Sequence, residues 1–142
     1  MKRLDADAAT VLRRCGVRPS VQRVAVMDYL LKHRTHPTAE EVYGALAPQM
    51  PTLSKTTVYN TLNLLVERGA AAHLTIEPGC SRFDGDMSVH GHLYCTACGG
   101  VYDLLLDEVP RLPAVEGHRI EAVQLYCRGV CRECEKKNSQ NN

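Results

Sequence analysis

Apolar side chains recur every three or four positions along the first half of the chain, and this spacing predicts four helices. The first covers residues 4–15 and ends at Gly16, a residue type that commonly follows a helix. The second covers about residues 21–34 and starts after Ser20, whose hydroxyl can cap the first turn. The side chains that we expect to face the core from these two helices are Leu4, Ala8, Val11, Leu12, Cys15, Val24, Met27 and Leu31.

Two further helices each begin with a capping signal. Thr38 and Glu41 have the spacing of a capping box, which predicts that the third helix begins after Thr38. Ser54 is a natural cap for the fourth helix, and Gly69 ends that helix where a left-handed backbone is expected. The buried faces of these helices are predicted to be Val42, Leu46, Val58, Leu62, Leu65 and Val66.

The first turns of the fourth helix carry hydrogen-bonding side chains that lie off its apolar face. Such side chains at the positive end of a helix dipole are typical of a helix that reads bases in the DNA major groove, although an ordinary capped surface helix has the same pattern. Strands at 71–76 and from residue 81 follow, and these elements together predict a winged helix. The residues that we expect to contact DNA are Arg23, Ser54, Lys55, Thr56, Thr57, Tyr59 and Asn60, with Arg82 on the wing as a further candidate for a phosphate contact.

The second half of the chain has the pattern of short strands. We predict three of them, at residues 89–94, 101–106 and 118–127. Turn signals at Gly99-Gly100 and Gly117 separate them, and two prolines within residues 107–116 limit any helix there to a short one. The predicted fold class is therefore α+β, with a winged-helix domain over residues 1–84 and a second domain over residues 85–142.

Four of the seven cysteines form two Cys-x-x-Cys pairs. Two such pairs, here separated by 32 residues, are typical of a structural zinc site in which four thiolates fill every coordination position. The expected ligands are Cys95, Cys98, Cys131 and Cys134. The alternative is a pair of redox dithiols, which would leave residues 127–137 with little core to hold them. Cys127 could replace one ligand, although a position within a strand explains it better.

Two histidines beside the first cysteine pair form a second candidate metal site. Residues i and i+2 of a strand share one face, so His90 and His92 point to the same side. A hairpin that pairs Tyr94 with Val101 also sets His92 opposite Asp103. Imidazole and carboxylate ligands suit Fe(II), Mn(II), Zn(II) or Co(II), whereas two surface histidines without a metal are the simpler alternative. The candidate ligands here are Asp84, His90, His92 and Asp103.

Composition narrows the class of protein. The 142 residues include 44% hydrophobic ones, enough for a packed core, and no apolar run approaches the roughly 20 residues that a bilayer requires. The first ten residues lack the apolar stretch of a signal peptide, so we expect a cytoplasmic protein without a membrane partner. An odd number of cysteines in such a protein favours metal ligation over disulfides.

The net charge of +1 conceals an uneven distribution. Residues 1–70 contain 10 Lys and Arg against 6 Asp and Glu, a balance of +4, and residues 71–142 contain 7 against 10, a balance of −3. A basic first half suits a nucleic-acid-binding module. The sequence has no His-Glu-x-x-His motif and no obvious Ser/His/Asp arrangement, so we do not expect an enzyme.

Five segments carry a resemblance to a known family: THPTAEEVY, TTVYNTLNLL, RFD, HGHLYC-x-x-C and GVCREC. Together they resemble the ferric uptake regulator family of bacterial metal-dependent repressors over nearly the whole chain. This resemblance implies a winged-helix domain, a C-terminal α/β dimerisation domain with a zinc knuckle, and a homodimer that binds inverted-repeat operators in double-stranded DNA. It also implies a regulatory Fe(II) or Mn(II) ion at the domain junction, besides the structural Zn(II). The regulatory ligands that it implies are His36, Asp84, His90, His92 and Asp103.

Asp84 and Asp103 bring the resemblance nearest to the peroxide-sensing branch of the family, the PerR repressors, since iron-uptake regulators usually have Glu at the position of Asp103. The implied mechanism is oxidation of a ligand histidine, His36 or His90, by hydrogen peroxide at bound Fe(II), followed by loss of the metal and of repression. Mn(II) in the same site would support DNA binding without this reaction. An iron- or zinc-uptake regulator of the same family is the alternative, and Cys80, four residues before Asp84, is the feature that could favour zinc.

Overall fold

The computed structural model of the chain describes residues 6–77, 79–86, 90–106, 112, 114–120 and 123–140. They belong to two compact units, Met1–Ser88 and Val89–Asn142. Among these described residues, no helix combines the length and the apolar character that a membrane crossing requires.

The first unit consists of four helices followed by a two-stranded antiparallel sheet, as the spacing of its apolar residues predicts. The helices are α1 (Ala8–Arg14), α2 (Val21–Lys32), α3 (Ala39–Leu46) and α4 (Lys55–Glu67), and a 3₁₀ turn, Ala47–Gln49, follows α3. The strands are β1 (Ala72–Leu74) and β2 (Arg82–Asp84). This order of elements is that of a winged helix, in which β1 and β2 form the wing.

Each of the four helices begins with a side-chain cap, which satisfies backbone N–H groups that lack partners within the helix. The caps of α2, α3 and α4 are the predicted ones, and Glu41 completes the capping box by accepting from the backbone N–H of Thr38 at 3.3 Å. The start of α1 differs from the prediction, because Asp7 caps that helix at Ala8; Leu4 lies outside the described residues. The capping oxygens accept from the N–H groups of Thr10 (Asp7, 2.8 Å), Arg23 (Ser20, 3.2 Å), Glu41 (Thr38, 3.2 Å) and Thr57 (Ser54, 3.0 Å).

The core of the first unit is aliphatic and confirms most of the predicted buried positions. In α2 the buried residues are Val26, Met27 and Leu30, whereas Val24 and Leu31, which the spacing predicts to face inward, are only half-buried. The error arises because apolar residues occur on nearly every side of α2, so spacing alone does not select one face. Three other predicted core residues are also half-buried: Cys15, Leu46 and Val66.

The wing is tied to the loop that precedes α3. β1 and β2 pair in a register that sets His73 opposite Phe83, and the two rings stack with centroids 5.3 Å apart. Phe83 is buried, and its backbone N–H donates to the carbonyl of Pro37 at 2.9 Å. This bond fixes the position of β2 relative to the loop that contains His36.

The second unit contains a three-stranded sheet, a short hairpin and a C-terminal helix. The central strand of the sheet is β3 (Gly91–Cys95), which pairs antiparallel with β4 (Val101–Leu104) and parallel with β7 (Tyr126–Gly129). The hairpin consists of β5 (Ala114–Val115) and β6 (His118–Arg119), and the helix is α5 (Arg132–Gln140).

The register of β3 against β4 confirms the predicted hairpin. Tyr94 lies opposite Val101, and His92 lies opposite Asp103. The turn between the strands includes Gly99, whose φ of 74° is in the left-handed region that glycine adopts without strain. The hairpin therefore brings the first cysteine pair to one end of the sheet, and it sets the histidine strand beside the aspartate strand.

The remaining predictions for the second unit are less successful. A continuous strand over residues 118–127 is wrong, because β6 ends at Arg119 and β7 begins at Tyr126; residues 121 and 122 lie outside the described residues. Val89, at the start of a predicted strand, and most of the proline-containing segment, residues 107–111 and 113, lie outside them as well. α5 is not predicted, since its sequence RECEKKNSQ has no apolar stripe.

Candidate functional site

The structure brings the four predicted zinc ligands together within the second unit. Cys95 ends β3, Cys98 lies in the turn after it, and Cys131 and Cys134 lie at the start of α5. All four sulfurs lie within 4.8 Å of one another, and those of Cys98 and Cys131 are 3.9 Å apart. Sulfurs at about 2.3 Å from a tetrahedral Zn²⁺ lie about 3.8 Å apart, so this cluster fits a zinc ion.

Backbone N–H groups favour the ionised, metal-binding form of two of these thiols. Those of Cys98 and Cys131 donate to the sulfur of Cys95 at 3.4 and 3.3 Å, and they lower the pKa of Cys95 to about 6. The pKa of Cys131 is lowered as well, chiefly by the backbone N–H of Cys134, whereas the Cys134 thiol, hydrogen-bonded to Cys131, has its pKa raised to about 12. Four neighbouring thiolates repel one another, so a divalent cation is what stabilises the fully ionised cluster.

Tyr102 is part of the cysteine cluster, although sequence reasoning missed it. Its hydroxyl lies 3.4 Å from the sulfur of Cys98, and hydrogen bonding to Cys98 and Cys131 raises the pKa of Tyr102 above its ordinary value. Gly100 makes room for the ring, because a Cβ at that position would lie 2.8 Å from the Tyr102 hydroxyl oxygen. The Gly-Gly turn was the only hint of this contact in the sequence, because a turn without side chains leaves space for the Tyr102 ring beside the cysteines.

Three donor atoms converge in the same unit, from His92 in β3, Asp103 in β4 and His90, which directly precedes β3. The Nε2 atoms of His90 and His92 are 3.1 Å apart, and they lie 3.2 and 3.3 Å from Oδ1 of Asp103. Donors about 2.1 Å from one ion lie about 3.0 to 3.4 Å apart when their angles at the ion are between 90° and 109°. The spacing of this trio, two imidazole nitrogens and one carboxylate oxygen, therefore fits one metal ion.

Two of the predicted regulatory ligands meet within the first unit. Both His36 and Asp84 are buried, and His36 Nε2 lies 3.5 Å from Oδ2 of Asp84. The other carboxylate oxygen of Asp84 accepts the backbone N–H of Asp86 at 2.8 Å. His36 has a φ of 55°, a left-handed conformation that costs a non-glycine residue about 1 kcal/mol and persists only where its surroundings hold it.

Arg82 is one of the groups that hold His36. The sequence suggests a DNA phosphate as its partner, but Arg82 Nη1 donates to the carbonyl oxygen of His36 at 3.0 Å and Nε donates to Oε2 of Glu77 at 2.6 Å. Sequence reasoning missed this role because the contact joins residues 46 positions apart.

The predicted DNA-contacting residues lie around the start of α4. Lys55, Thr56, Tyr59 and Asn60 are exposed, and the hydroxyl of Ser54 caps the helix while it donates to the hydroxyl of Thr57 at 2.9 Å. A groove of about 380 Å³ between α2 and α4 is lined by Ser20, Gln22, Arg23, Thr57, Asn60, Thr61 and Leu64. Arg23, Thr57 and Asn60 therefore share one surface, as a helix that reads DNA requires.

Comparison with known proteins decides the family. The profile described as "Ferric uptake regulator family" matches residues 14–127. The chain belongs to the ferric uptake regulator family. The "Peroxide operon regulator" of Bacillus subtilis (strain 168) is 40% identical to it over 137 residues, with 94% of each chain covered.

Solved structures of this family have the same fold. The crystal structure of the Vibrio cholerae ferric uptake regulator has a TM-score of 0.66 and 26% identity, and the match covers 88% of this chain and 100% of that one. PerR from Streptococcus pyogenes, whose structure is described as a basis for peroxide sensing and gene regulation, has a TM-score of 0.51 and 26% identity, and the match covers 91% of this chain and 94% of that one.

The other cysteines of this family member lie apart from the candidate ligands. Among the described residues, Cys80 and Cys127 belong to none of the His, Cys, Asp and Glu groups that could hold a metal ion. Burial and the nearby charge of Glu77 raise the pKa of Cys80, which disfavours its thiolate form. Cys127 lies in β7 opposite Leu93, the position within a strand that the sequence favours.

Proposed function

We propose that this chain is a metal-dependent transcriptional repressor that senses hydrogen peroxide through Fe(II)-catalysed oxidation of a ligand histidine. The observation that carries the proposal is the trio of His90, His92 and Asp103, with donor atoms 3.1 to 3.3 Å apart. The curated relative named "Peroxide operon regulator", 40% identical over 94% of each chain, favours peroxide as the signal.

We propose two resident metals with different ligand chemistry. Thiolates from Cys95, Cys98, Cys131 and Cys134 hold a structural Zn(II), because soft sulfur donors in a tetrahedral set suit zinc. Imidazole and carboxylate donors suit Fe(II) or Mn(II), and we assign a single regulatory ion to His36, Asp84, His90, His92 and Asp103. The two aspartates support the peroxide-sensing branch of the family, as the sequence resemblance implies.

The ligand residues themselves perform the sensing. Fe(II) held by these residues would supply the electron that starts cleavage of the O–O bond of hydrogen peroxide; overall, one peroxide oxygen would be added to a ligand ring and the other would leave as water. In His36 and His90 the ring carbon Cε1 is bonded directly to Nε2, the proposed ligand nitrogen. Oxygen added at Cε1 would therefore change the electronic properties of that nitrogen. An oxidised ring would be a poorer donor, so these residues would hold the metal less tightly, and the active form of the repressor would lose its stabilising ligand.

We further propose that the chain acts on DNA as a homodimer. The first turns of α4, with Arg23 beside them, face the operator through the exposed Tyr59 and Asn60. The second unit exposes large apolar side chains, which supports its burial against a second copy. They include Leu105, Leu106, Leu112, Val115 and Val123. A repressor of this kind acts in the cytoplasm, and it is not an enzyme because each oxidation consumes the sensor.

Anaerobic loading with Fe(II), followed by one equivalent of hydrogen peroxide, tests the proposal. We expect an added oxygen on His36 or His90 by peptide mass spectrometry and a parallel loss of binding to an inverted-repeat duplex. A Mn(II)-loaded sample should keep both its mass and its operator binding. Unmodified histidines with operator binding retained would indicate an iron- or zinc-uptake regulator, and loss of binding with oxidised cysteines alone would indicate thiol sensing.

A further inference from the structure

Arg82 joins two parts of the first unit that are distant in sequence. One arm of its guanidinium binds the carboxylate of Glu77 at 2.6 Å, and the other binds the carbonyl oxygen of His36 at 3.0 Å. The side chains of Arg82 and Glu77 are only 18% and 24% exposed. A planar guanidinium can serve two acceptors in different directions at once, which the single ammonium group of lysine does less well.

The carbonyl that Arg82 binds belongs to the residue with the unusual backbone. His36 has a φ of 55°, and non-glycine residues keep this conformation only where neighbouring groups fix it. Three consecutive residues of β2 act on this loop. Arg82 binds the His36 carbonyl, the N–H of Phe83 binds the Pro37 carbonyl at 2.9 Å, and Asp84 lies 3.5 Å from the His36 ring.

The charge of Arg82 is already compensated within the protein. The carboxylate of Glu77 supplies the opposite charge, since its Oε2 accepts from Nε of Arg82 at 2.6 Å in a half-buried pair. A DNA phosphate would have to compete with Glu77 for the same half-buried guanidinium. These contacts make Arg82 a poor candidate for DNA binding and a good one for fixing a loop.

We propose that Arg82, held by Glu77, is a positioning residue for the regulatory metal: it fixes the His36 backbone so that the ring nitrogen faces Asp84. The inference rests on the proposed function, because it takes His36 and Asp84 as metal ligands. Groups that orient metal ligands typically change metal affinity by about 10-fold to 100-fold when they are removed. The substitution Arg82→Gln should therefore weaken Mn(II) binding by at least about tenfold.

The test measures metal affinity and DNA affinity separately in the full-length, zinc-loaded protein. Mn(II) affinity is obtained without DNA, from the free Mn(II) signal in electron paramagnetic resonance, and operator affinity is obtained at saturating Mn(II). For Arg82→Gln we expect weaker Mn(II) binding and unchanged operator affinity. Arg82→Lys and Glu77→Gln keep part of the hydrogen bonding and should show intermediate Mn(II) affinities, so the inference stays testable if Arg82→Gln does not fold.

Arg23→Gln is the matched comparison. Arg23 also donates from Nη1 to a backbone carbonyl, that of Arg18 at 3.0 Å, but it lies on α2 in the groove beside α4. We expect the opposite pattern for it, with weaker operator binding and unchanged Mn(II) affinity. Lys32→Gln, which removes a cation from the exposed pair with Asp28, should change neither affinity.

The outcomes separate this inference from the proposed function. Unchanged Mn(II) affinity in all three variants at Arg82 and Glu77 would overturn the inference. Lower operator affinity at saturating Mn(II), with Mn(II) affinity intact, would overturn it in favour of a phosphate contact by Arg82. Failure of the unmodified protein to bind Mn(II) would instead contradict the proposed function, and it would remove the basis of the inference as well.

Discussion

Tyr102 shows how one side chain can tune a cysteine cluster. Its hydroxyl lies 3.4 Å from the sulfur of Cys98, the exposed member of the four. A hydrogen bond to a thiolate lowers the nucleophilicity of the sulfur, which slows its reaction with peroxide, and it stabilises the ionised form that binds zinc. Tyr102→Phe should therefore weaken zinc binding by about tenfold and speed zinc release by hydrogen peroxide, as followed with a chromogenic chelator.

The control for this substitution is Tyr94→Phe on the neighbouring strand. The Tyr94 ring packs against Arg128, whose guanidinium carbon lies 5.0 Å from the ring centroid, and its loss of a hydroxyl should leave zinc release unchanged. Equal rates for the two variants would show that the Tyr102 hydroxyl does not protect the cluster.

Position 85 requires glycine because the backbone of another element lies very close to it, and not because its φ angle is unusual. A Cβ at this position would lie 3.0 Å from both the carbonyl carbon and the carbonyl oxygen of Leu30, which are backbone atoms of α2 and cannot rotate away. Gly85→Ala should lower the free energy of unfolding by about 1 to 3 kcal/mol, as measured by urea denaturation.

Gly44→Ala provides the opposite expectation for the same chemical change. Gly44 lies within α3, and nothing lies within 4 Å of its Cβ position. Since alanine restricts the unfolded chain and favours helix, this variant should be more stable by about 0.5 to 1 kcal/mol. Destabilisation of both variants to the same extent would mean that contact with Leu30 is not what makes Gly85 necessary.

Residue-level reasoning from the sequence succeeded where the relevant partners are close along the chain. His92 and Asp103 were predicted to face each other because a tight turn fixes the register of a hairpin. The left-handed backbone of His36 and its bond to Arg82 could not be predicted in this way, because they depend on a contact across 46 residues. The resemblance to a family named His36 as a ligand but gave no reason for its conformation.

Ser54, at the start of α4, has two proposed roles, capping the helix and contacting DNA, and substitutions at this position can separate them. Ser54 caps the helix by accepting the N–H of Thr57 at 3.0 Å, and it also lies among the predicted DNA contacts. Ser54→Ala should cost about 1 kcal/mol of stability through loss of the cap. Ser54→Asp keeps a capping oxygen, so its thermal stability should stay near that of the parent, while its negative charge should repel phosphate and weaken operator binding.

Equal operator affinity for Ser54→Asp and the unsubstituted protein would contradict the assignment of α4 to the DNA interface. Comparison at two salt concentrations strengthens the test, because repulsion of phosphate is screened as ionic strength rises. A cap defect alone would change the melting temperature without changing the salt dependence.

Helices and strands whose sequences have a clear apolar periodicity were predicted well, and those without one were missed. α2 and α4 have both apolar residues at helical spacing and a side-chain cap, and their starts were predicted to the residue, although the spacing did not identify the buried face of α2. α5 buries none of its residues, so its sequence has no apolar periodicity that would predict a helix. Two cysteines of the cluster, one just before the helix and one in its first turn, anchor it instead. The parallel pairing of β7 with β3 joins strands that begin 35 residues apart in sequence, and such pairing leaves no local signal.

The two units differ sharply in how much apolar core they have. Of the described hydrophobic side chains that are fully buried, those of the second unit are two cysteines, Cys95 and Cys131, whereas the first unit has a continuous aliphatic core. Burial of apolar surface is the main stabilising contribution in folding, so the first unit can depend on its own core. We therefore expect the second unit to depend on bound metal and on contacts with a second copy.

Removal of zinc should therefore unfold the second unit selectively. Treatment of the full-length protein with a strong zinc chelator should abolish the dispersed amide signals of β3, β4, β7 and α5 in heteronuclear magnetic resonance spectra, while those of α1 to α4 remain. Dimers should dissociate in the same sample, and added Zn(II) should restore both properties if the thiols are kept reduced. Simultaneous loss of all signals would mean that the two units fold as one, and persistence of α5 without zinc would mean that the cysteine cluster does not anchor it.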